Sequence, residues 1–390
     1  MSKRVAVPYK DTKLRIVGSS GNFMAHRVQR LDIPANIPTT TINELGNPQH
    51  VCVMADAPEI TATFQAFDVS HKIFSYMTGT DPDAFPSAGV DVSNLGYCDL
   101  IMYVKEADVN EHLKCVHARY MRVTDFTYTY SVDAESTEEY TLGGSEKRYF
   151  ANDVVVDSGS LAGGQMTLTY TPNELKNGNK LISMIVDGVW LKEGDDYSVA
   201  TETVTVSGAT TEYALAVYHT QSGVMTWDDI SDAVSPCAIR GKNIPIEIGT
   251  NNMYRVQSVT IRGTFPNTKI MEMGNIVPVG YITDPPDITG DITVMDTDNE
   301  IVSLLTTGTI NDADGYGEFG VSEYEERTLQ LDIIIKNPAD NTTVLKTVRI
   351  PKMRITSDGT TSNVGGQLTA TFGFASADAQ CIVFSGVAAW

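Results

Sequence analysis

Apolar and polar residues alternate with a period of two along several stretches of this 390-residue chain. Ile60, Ala62, Phe64 and Ala66 alternate with Thr61, Thr63, Gln65 and Phe67. Ile288, Gly290, Ile292 and Val294 alternate with Thr289, Asp291, Thr293 and Met295. Such a period, with one apolar face, predicts a half-buried β-strand. The period then changes. Ile73 with Met77, and Ile301 with Leu304 and Leu305, stand at helical spacing, so a short helix is predicted after each strand. Asp68 or Ser70 is placed to cap the first, Asp298 or Asn299 the second, and Thr78-Gly79 and Thr307-Gly308 end them. Upstream, Arg27–Asn47 and Arg255–Asn275 each read as a long hairpin bent at a proline, Pro38 or Pro266.

These two patterned stretches are copies of each other. Arg27-Val28-Gln29 recurs as Arg255-Val256-Gln257, and Glu44-Leu45-Gly46-Asn47 as Glu272-Met273-Gly274-Asn275. Asp56-Ala57-Pro58-Glu59-Ile60-Thr61 recurs as Asp284-Pro285-Pro286-Asp287-Ile288-Thr289. The register holds without a gap from His26/Tyr254 to Thr78/Thr306. The copies match again nearer their ends, where Leu113-Lys114-Cys115-Val116 parallels Leu345-Lys346-Thr347-Val348 and Met121-Arg122-Val123-Thr124 parallels Met353-Arg354-Ile355-Thr356. A self-match of this length means that one domain has been duplicated. The copies are placed at 1–150 and 236–390. Between their matching parts lie dissimilar Gly-rich stretches, Thr80–Gly96 and Thr309–Glu326, which read as surface loops.

Residues 151–222 have no partner in the second copy. Strands are predicted at Met166–Tyr170, Ile182–Val186, Val189–Leu191, Val204–Val206 and Tyr213–Tyr218, with Asp187-Gly188 as a two-residue hairpin turn. Short strands at this spacing suggest a small immunoglobulin-like sandwich. Lacking a counterpart, it is expected on the outside and to be replaceable by a Gly/Ser linker. A linker is placed at 223–235. The fold class is therefore mainly β: two tandem β-sandwich or half-barrel domains, each with a short helix, and an inserted immunoglobulin-like β-sandwich.

Charge changes the picture of partners. The chain carries 28 Lys and Arg against 49 Asp and Glu, a formal net charge of −21. Nucleic-acid binders neutralise phosphates with Lys and Arg, so most of this surface should repel DNA. Residues 1–30 are the exception, with Lys3, Arg4, Lys10, Lys13, Arg15, Arg27 and Arg30 against Asp11. A basic arm on an acidic body suits docking on a neighbouring subunit; the other reading is a solvated tail. No apolar run approaches the length of a membrane span, and the start lacks the apolar stretch of a signal peptide. Five cysteines, without a CxxC pair, suit free thiols in a reducing compartment.

Candidate chemistry is sparse. None of the GxxxxGK[ST], GxGxxG, GxSxG or HExxH patterns occurs. His112, Cys115 and His117 lie close together, and on a strand Cys115 and His117 share a face, but a metal site needs further ligands and structural roles are favoured. Asp312-Ala313-Asp314-Gly315 matches only the start of a calcium loop. Asp296, Asp298 and Glu300 stand at a helix start, where capping accounts for them. Trp190 and Tyr197 would form either a sugar-stacking face or the core of the small sandwich. No nucleophile, base and orienting group assemble, so no catalytic, cofactor or metal residue is assigned and no enzyme is expected.

The order of elements in each copy is a long hairpin, Glu-Leu/Met-Gly-Asn, a strand after Asp-x-Pro-Glu/Asp-Ile-Thr, and a short helix ending in Thr-Gly. With the segment Thr40-Thr41-Ile42-Asn43-Glu44-Leu45-Gly46-Asn47-Pro48, this resembles the tail tube (major tail) proteins of tailed bacteriophages. The resemblance covers both copies and not the insert. It implies a virion protein made in the host cytoplasm that forms stacked rings around a lumen. Three chains per ring would supply six similar domains. It implies, as partners, other copies of the chain together with tape-measure, tail-tip and terminator proteins. DNA would pass through without specific binding, and no membrane or cofactor is involved. A virion adhesin that holds host-surface glycans through its β-sandwich domains is the alternative expectation.

Overall fold

The computed structural model describes residues 12–45, 50–55, 58–105, 112–221, 238–249, 251–253, 255–270, 272–273, 280–295, 328–361 and 368–386. The fold is mainly β, built of antiparallel pairs, with one α-helix among the described residues. The period-two stretches form strands as the pattern predicts. Glu59–Phe67 buries Ile60, Ala62, Phe64 and Ala66, and Asp287–Val294 buries Ile288, Ile292 and Val294. A strand sends alternate residues to opposite faces, so one apolar set reaches the core without dragging polar neighbours with it.

One sheet runs through both repeats. In the first, Val28–Asp32 pairs with Glu59–Phe67, then Thr137–Gly144, then the C-terminal half of the long strand His112–Ser131. In the second, Val256–Thr264 pairs with Asp287–Val294, then Thr369–Ser376, then the C-terminal half of Val344–Thr361. Registers correspond too. Leu31 faces Phe64 and Phe64 faces Tyr140, as Val259 faces Ile292 and Ile292 faces Phe372. Even the bulge between Val123 and Asp125 recurs between Ile355 and Ser357. Each long strand bends, so its N-terminal half enters a second layer. There His112–Ser131 meets Tyr97–Lys105, which pairs with Thr12–Gly18, while Val344–Thr361 meets Leu329–Lys336, which pairs with Ile246–Ile248. The main core lies between these layers.

The hairpins are not where the sequence reading placed them. The described part of Arg27–Asn47 is one arm rather than a whole hairpin. Thr39–Asn43 pairs with His50–Ala55, and Ala35–Asn36 with Glu59 and Ile60, so the other arm comes from the strand that follows. In the second repeat Asn267–Ile270 likewise pairs with Gly280–Thr283. Pro38 and Pro266 interrupt the pairing because they lack an N–H, but they do not reverse the chain. Lys13 and Arg15 also leave the expected basic arm. They lie within Thr12–Gly18, paired with Tyr97–Lys105, and the Arg15 guanidinium sits over the Tyr103 ring.

The helix spans Lys72–Thr78 and ends at Gly79, whose left-handed φ of 72° lets its N–H reach the Ser75 carbonyl. Its N-cap is His71, with no side-chain cap bond. The expected cap Asp68 is engaged elsewhere, as described below. The predicted second helix at Ile301–Leu305, the loop Thr309–Glu326 with Asp312 and Asp314, the acids Asp296, Asp298 and Glu300, and the linker 223–235 lie outside the described residues.

Between the repeats, a four-stranded sheet and a three-stranded sheet enclose their own core, with Met166, Met184, Val204, Ala216 and Tyr218 buried between them. Asp187 and Gly188 take φ values of 45° and 81°, the left-handed pair that a two-residue hairpin with matching twist requires. Val154–Ser160 and Tyr197–Ala200 are strands that the sequence reading missed; both are short and hold few apolar residues in alternation.

Candidate assembly surfaces

The two repeats are joined edge to edge. Strand His112–Ser131 of the first pairs along seven residue pairs with Val256–Thr264 of the second, from Asp125/Thr264 to Ser131/Ser258. Beyond the Asp125/Thr264 pair, the Phe265 N–H reaches the Thr124 carbonyl at 2.7 Å and its ring packs near Phe126. Close approach is built in. A Cβ on Gly263 would lie 2.0 Å from the Phe126 ring, so only glycine fits there. A second contact joins Val90–Asp91 of the first repeat to Ile382–Phe384, the last strand of the second.

A buried polar cluster closes the same junction. The Lys346 Nζ of the second repeat lies 2.8 Å from Asp68 Oδ1 and 3.6 Å from Glu138 Oε2 of the first, and 4.4 Å from the Tyr128 ring centre. All are shielded from solvent. The Tyr130 hydroxyl donates to Asp68 Oδ2 and the Tyr140 hydroxyl to Glu138 Oε2, while the Tyr128 and Tyr140 hydroxyls meet at 2.9 Å. Burial pushes the Glu138 carboxyl up to about 8, against the pull of Lys346. Burial also works to discharge Lys346, but Asp68, Tyr128 and Glu138 hold its ammonium above the ordinary value. At neutral pH Glu138 is therefore largely protonated, which limits the charge left in the core beside the Lys346–Asp68 ion pair. Sequence reading treated Asp68 as a cap and passed over Glu138. The available signal was parity: Glu138 shares the inward face of its strand with Tyr140 and Leu142, and an inward acid needs a partner.

This geometry fixes a pH response. A carboxyl raised in the folded state contributes stability fully below its unfolded value and loses it as pH rises through the folded one. Glu138 should thus make wild-type stability fall between about pH 4.5 and pH 8, by up to about 1.4 kcal/mol per pH unit relative to Glu138→Gln. Urea denaturation of both proteins across this range checks it. Parallel pH profiles would show that Glu138 does not titrate there.

The ends of the sheet are open. Among the described residues, Val28–Asp32 pairs on one side only, and so does the segment Ser357–Thr361, whose residues are all exposed. Among the described residues, the strand pairs taken one by one form a branched series with no pair that joins its two ends. One hairpin arm continues from Val28–Asp32 and Glu59–Phe67, the other from Val256–Thr264 and Asp287–Val294. Their tips carry exposed apolar residues at matching places: Ile42 and Ile270, Met54 and Ile282, and Leu45 and Met273, the last two about fully exposed at 105% and 102%. A two-stranded ribbon is marginal in water unless something covers it.

The intervening sandwich is fastened to the first repeat by a second apolar core. Val17, Ile101, Tyr103, Cys115 and Phe150 of the repeat meet Ile182, Ile185, Leu215 and Val217 of the sandwich. Beside it, Asp99 is buried and accepts from the Ser183 hydroxyl, the Tyr120 N–H and the Trp190 indole, and lies 3.1 Å from His117 Nε2. Burial alone would raise its pKa, yet these partners hold it below the usual value. Cys115 and His117 do share a face, and it is this docking face. Burial pushes the Cys115 thiol up to about 12, which keeps it a neutral, inert packing group. The His112 side chain lies outside the described residues. Among those residues no three metal-ligating side chains cluster. Trp190 packs against Tyr120 and Tyr97, and Tyr197 is buried in the sandwich core, so these aromatics form no sugar-stacking face.

No family model matches this chain, and no curated protein matches it. No described helix is long and apolar enough to cross a membrane, which says nothing of strands.

The same face differs in the second repeat. Asp332 and Arg349 stand at the register positions of Ile101 and His117 and form a two-point ion pair at 2.7 and 2.9 Å. Arg349 also lies over the Phe384 ring. One repeat thus offers an apolar seat for the sandwich, while the other finishes the same face with charge.

Proposed function

We propose that this protein is a structural, self-assembling component of a phage tail, forming stacked trimeric rings that enclose a conduit for DNA. The observation that carries this reading is the junction inside the chain. Two copies of one domain are joined edge to edge, and the corresponding edges are left open at the two ends of the sheet. A head-to-tail contact of this kind repeats from chain to chain and closes as a ring when its rotation divides the circle. With two similar domains per chain, three chains give six places. The net charge of −21 supports a wall along which a polyanion slides without a lasting cationic partner. Phage identity and the tape-measure, tail-tip and terminator partners rest on the sequence resemblance alone.

The alternative, an adhesin binding glycans through its sandwich, loses the aromatic pair that motivated it, since Tyr197 is buried and Trp190 packs inward. Electron microscopy of the purified protein separates the two. The proposal expects tubes of indefinite length built of stacked rings. Discrete small oligomers at all concentrations would count against it.

A further inference from the structure

The geometry points to the chain-to-chain contact itself: Ser357–Thr361 of one chain adds to the edge Asp32–Asn36 of a second copy, in the register of the internal junction. This deepens the assembly reading above and rests on it.

The register follows residue by residue. The internal junction pairs Asp125 with Thr264 and Phe126 with Gly263. Within the sheets, Asp358 pairs with Phe372 as Phe126 pairs with Tyr140, and Leu31 pairs with Phe64 as Val259 pairs with Ile292. Carrying these correspondences across places Ser357 opposite Asn36, Asp358 opposite Ala35, and Thr361 opposite Asp32. Side-chain sizes agree with this. Phe126 needs the bare Gly263, whereas the smaller Asp358 meets Ala35. Hydrogen-bonding parity agrees as well. The Pro34 carbonyl accepts from the Thr61 N–H, so Pro34 turns its backbone groups inward, and its missing N–H lies away from the open edge. The Ile33 carbonyl accepts from the Lys147 ammonium, and a carbonyl oxygen has a second lone pair for an incoming strand.

Three exposed residues mark the face that the second copy covers. Ile37 is 59% exposed, yet its counterpart Phe265 is 5% exposed and bonded to Thr124 across the internal junction. Lys114 is exposed, whereas its counterpart Lys346 is buried against Asp68 of the preceding repeat. Tyr149 is 66% exposed, whereas its counterpart Val383 is buried beneath Val90–Asp91 of the preceding repeat. All three counterparts are covered by the first repeat. In the first repeat the same three positions are exposed, and the second repeat of another copy would supply the covering domain.

Paired cysteines test the register. Thr264 and Asp125 bond through their side chains at 3.1 Å, so the positions matching them face each other closely enough for a disulfide. In a Cys52→Ser/Cys237→Ser background, Asn36→Cys with Ser357→Cys should cross-link chains under mild oxidation. Asn36→Cys with Asp358→Cys should cross-link at least tenfold less, because a one-residue shift turns the side chain to the other face. Thr264→Cys with Asp125→Cys should close within one chain, which checks the oxidation conditions. Sedimentation reports assembly separately. Assembled protein in which the 36/357 pair fails to cross-link, or in which 36/358 does as well, overturns this register and leaves the assembly reading standing. Protein that never assembles overturns both.

Discussion

Lys346→Met is expected to cost about 3–5 kcal/mol of stability, among the largest single effects in the chain. The substitution keeps much of the side chain's length and removes only its charge. Asp68 then loses its ion-pair partner in a site where, among the described residues, the only other carboxylate contact is the Tyr130 hydroxyl, which donates to Oδ2. Breaking a buried pair from one side leaves an uncompensated charge in a poorly polarisable core, and penalties of that size follow. Removing the whole cluster is a different matter. Lys346→Met with Asp68→Asn and Glu138→Gln has no buried charge to compensate, so most of the loss should return. Denaturant midpoints for the single and triple variants check both statements. A single variant within about 1 kcal/mol of wild type would mean that water reaches Lys346 and the cluster is not sealed.

Replacing residues 151–222 by a Gly/Ser linker is expected to give insoluble protein, contrary to the sequence expectation of a dispensable decoration. The sandwich sheet has two apolar faces. Ala214, Ala216 and Tyr218 face its own core, while Leu215 and Val217 face the first repeat. Deletion would uncover Val17, Ile101, Tyr103, Cys115 and Phe150 together and leave Asp99 without Ser183 and Trp190. An apolar patch of that kind on a soluble surface drives aggregation. The second repeat shows how the face can be finished without a sandwich. Asp99→Gln, Ile101→Asp and His117→Arg would reproduce its Gln330, Asp332 and Arg349, in which Gln330 donates to Asp332 at 2.8 Å. The deletion carrying these three changes should recover soluble protein in a fractionation assay. Soluble, folded protein from the plain deletion would show that the docking core is not needed.

How much of this was legible beforehand differs from element to element. Strands with strict alternation, such as Glu59–Phe67, announced themselves because one face is buried and the other is not. The repeat was legible because identities such as Asp-x-Pro and Glu-x-Gly-Asn survive at constant spacing. The hairpins were misplaced because each arm is one nearly continuous extended run, and a proline reads as a turn when it only interrupts a ladder. The two cores flanking the sandwich sheet were illegible for another reason. Tyr213–His219 is apolar on both faces, and a run without alternation does not say what lies on its second side. The Lys346 cluster escaped because the sequence matches Lys346 to Lys114, and burial separates them only once the two repeats are joined. That asymmetry is also why the junction inside the chain says so much about contacts between chains.

The rotational symmetry of one assembled ring tests the central claim most directly. Two joined repeats per chain, closing edge to edge, predict true threefold symmetry with six similar domains around the axis, readable from a filament reconstruction or from the mass of a ring sealed through the 36/357 disulfide as three chains of 42.4 kDa. A ring of six chains, or a sealed product that extends past three chains without closing, would contradict it.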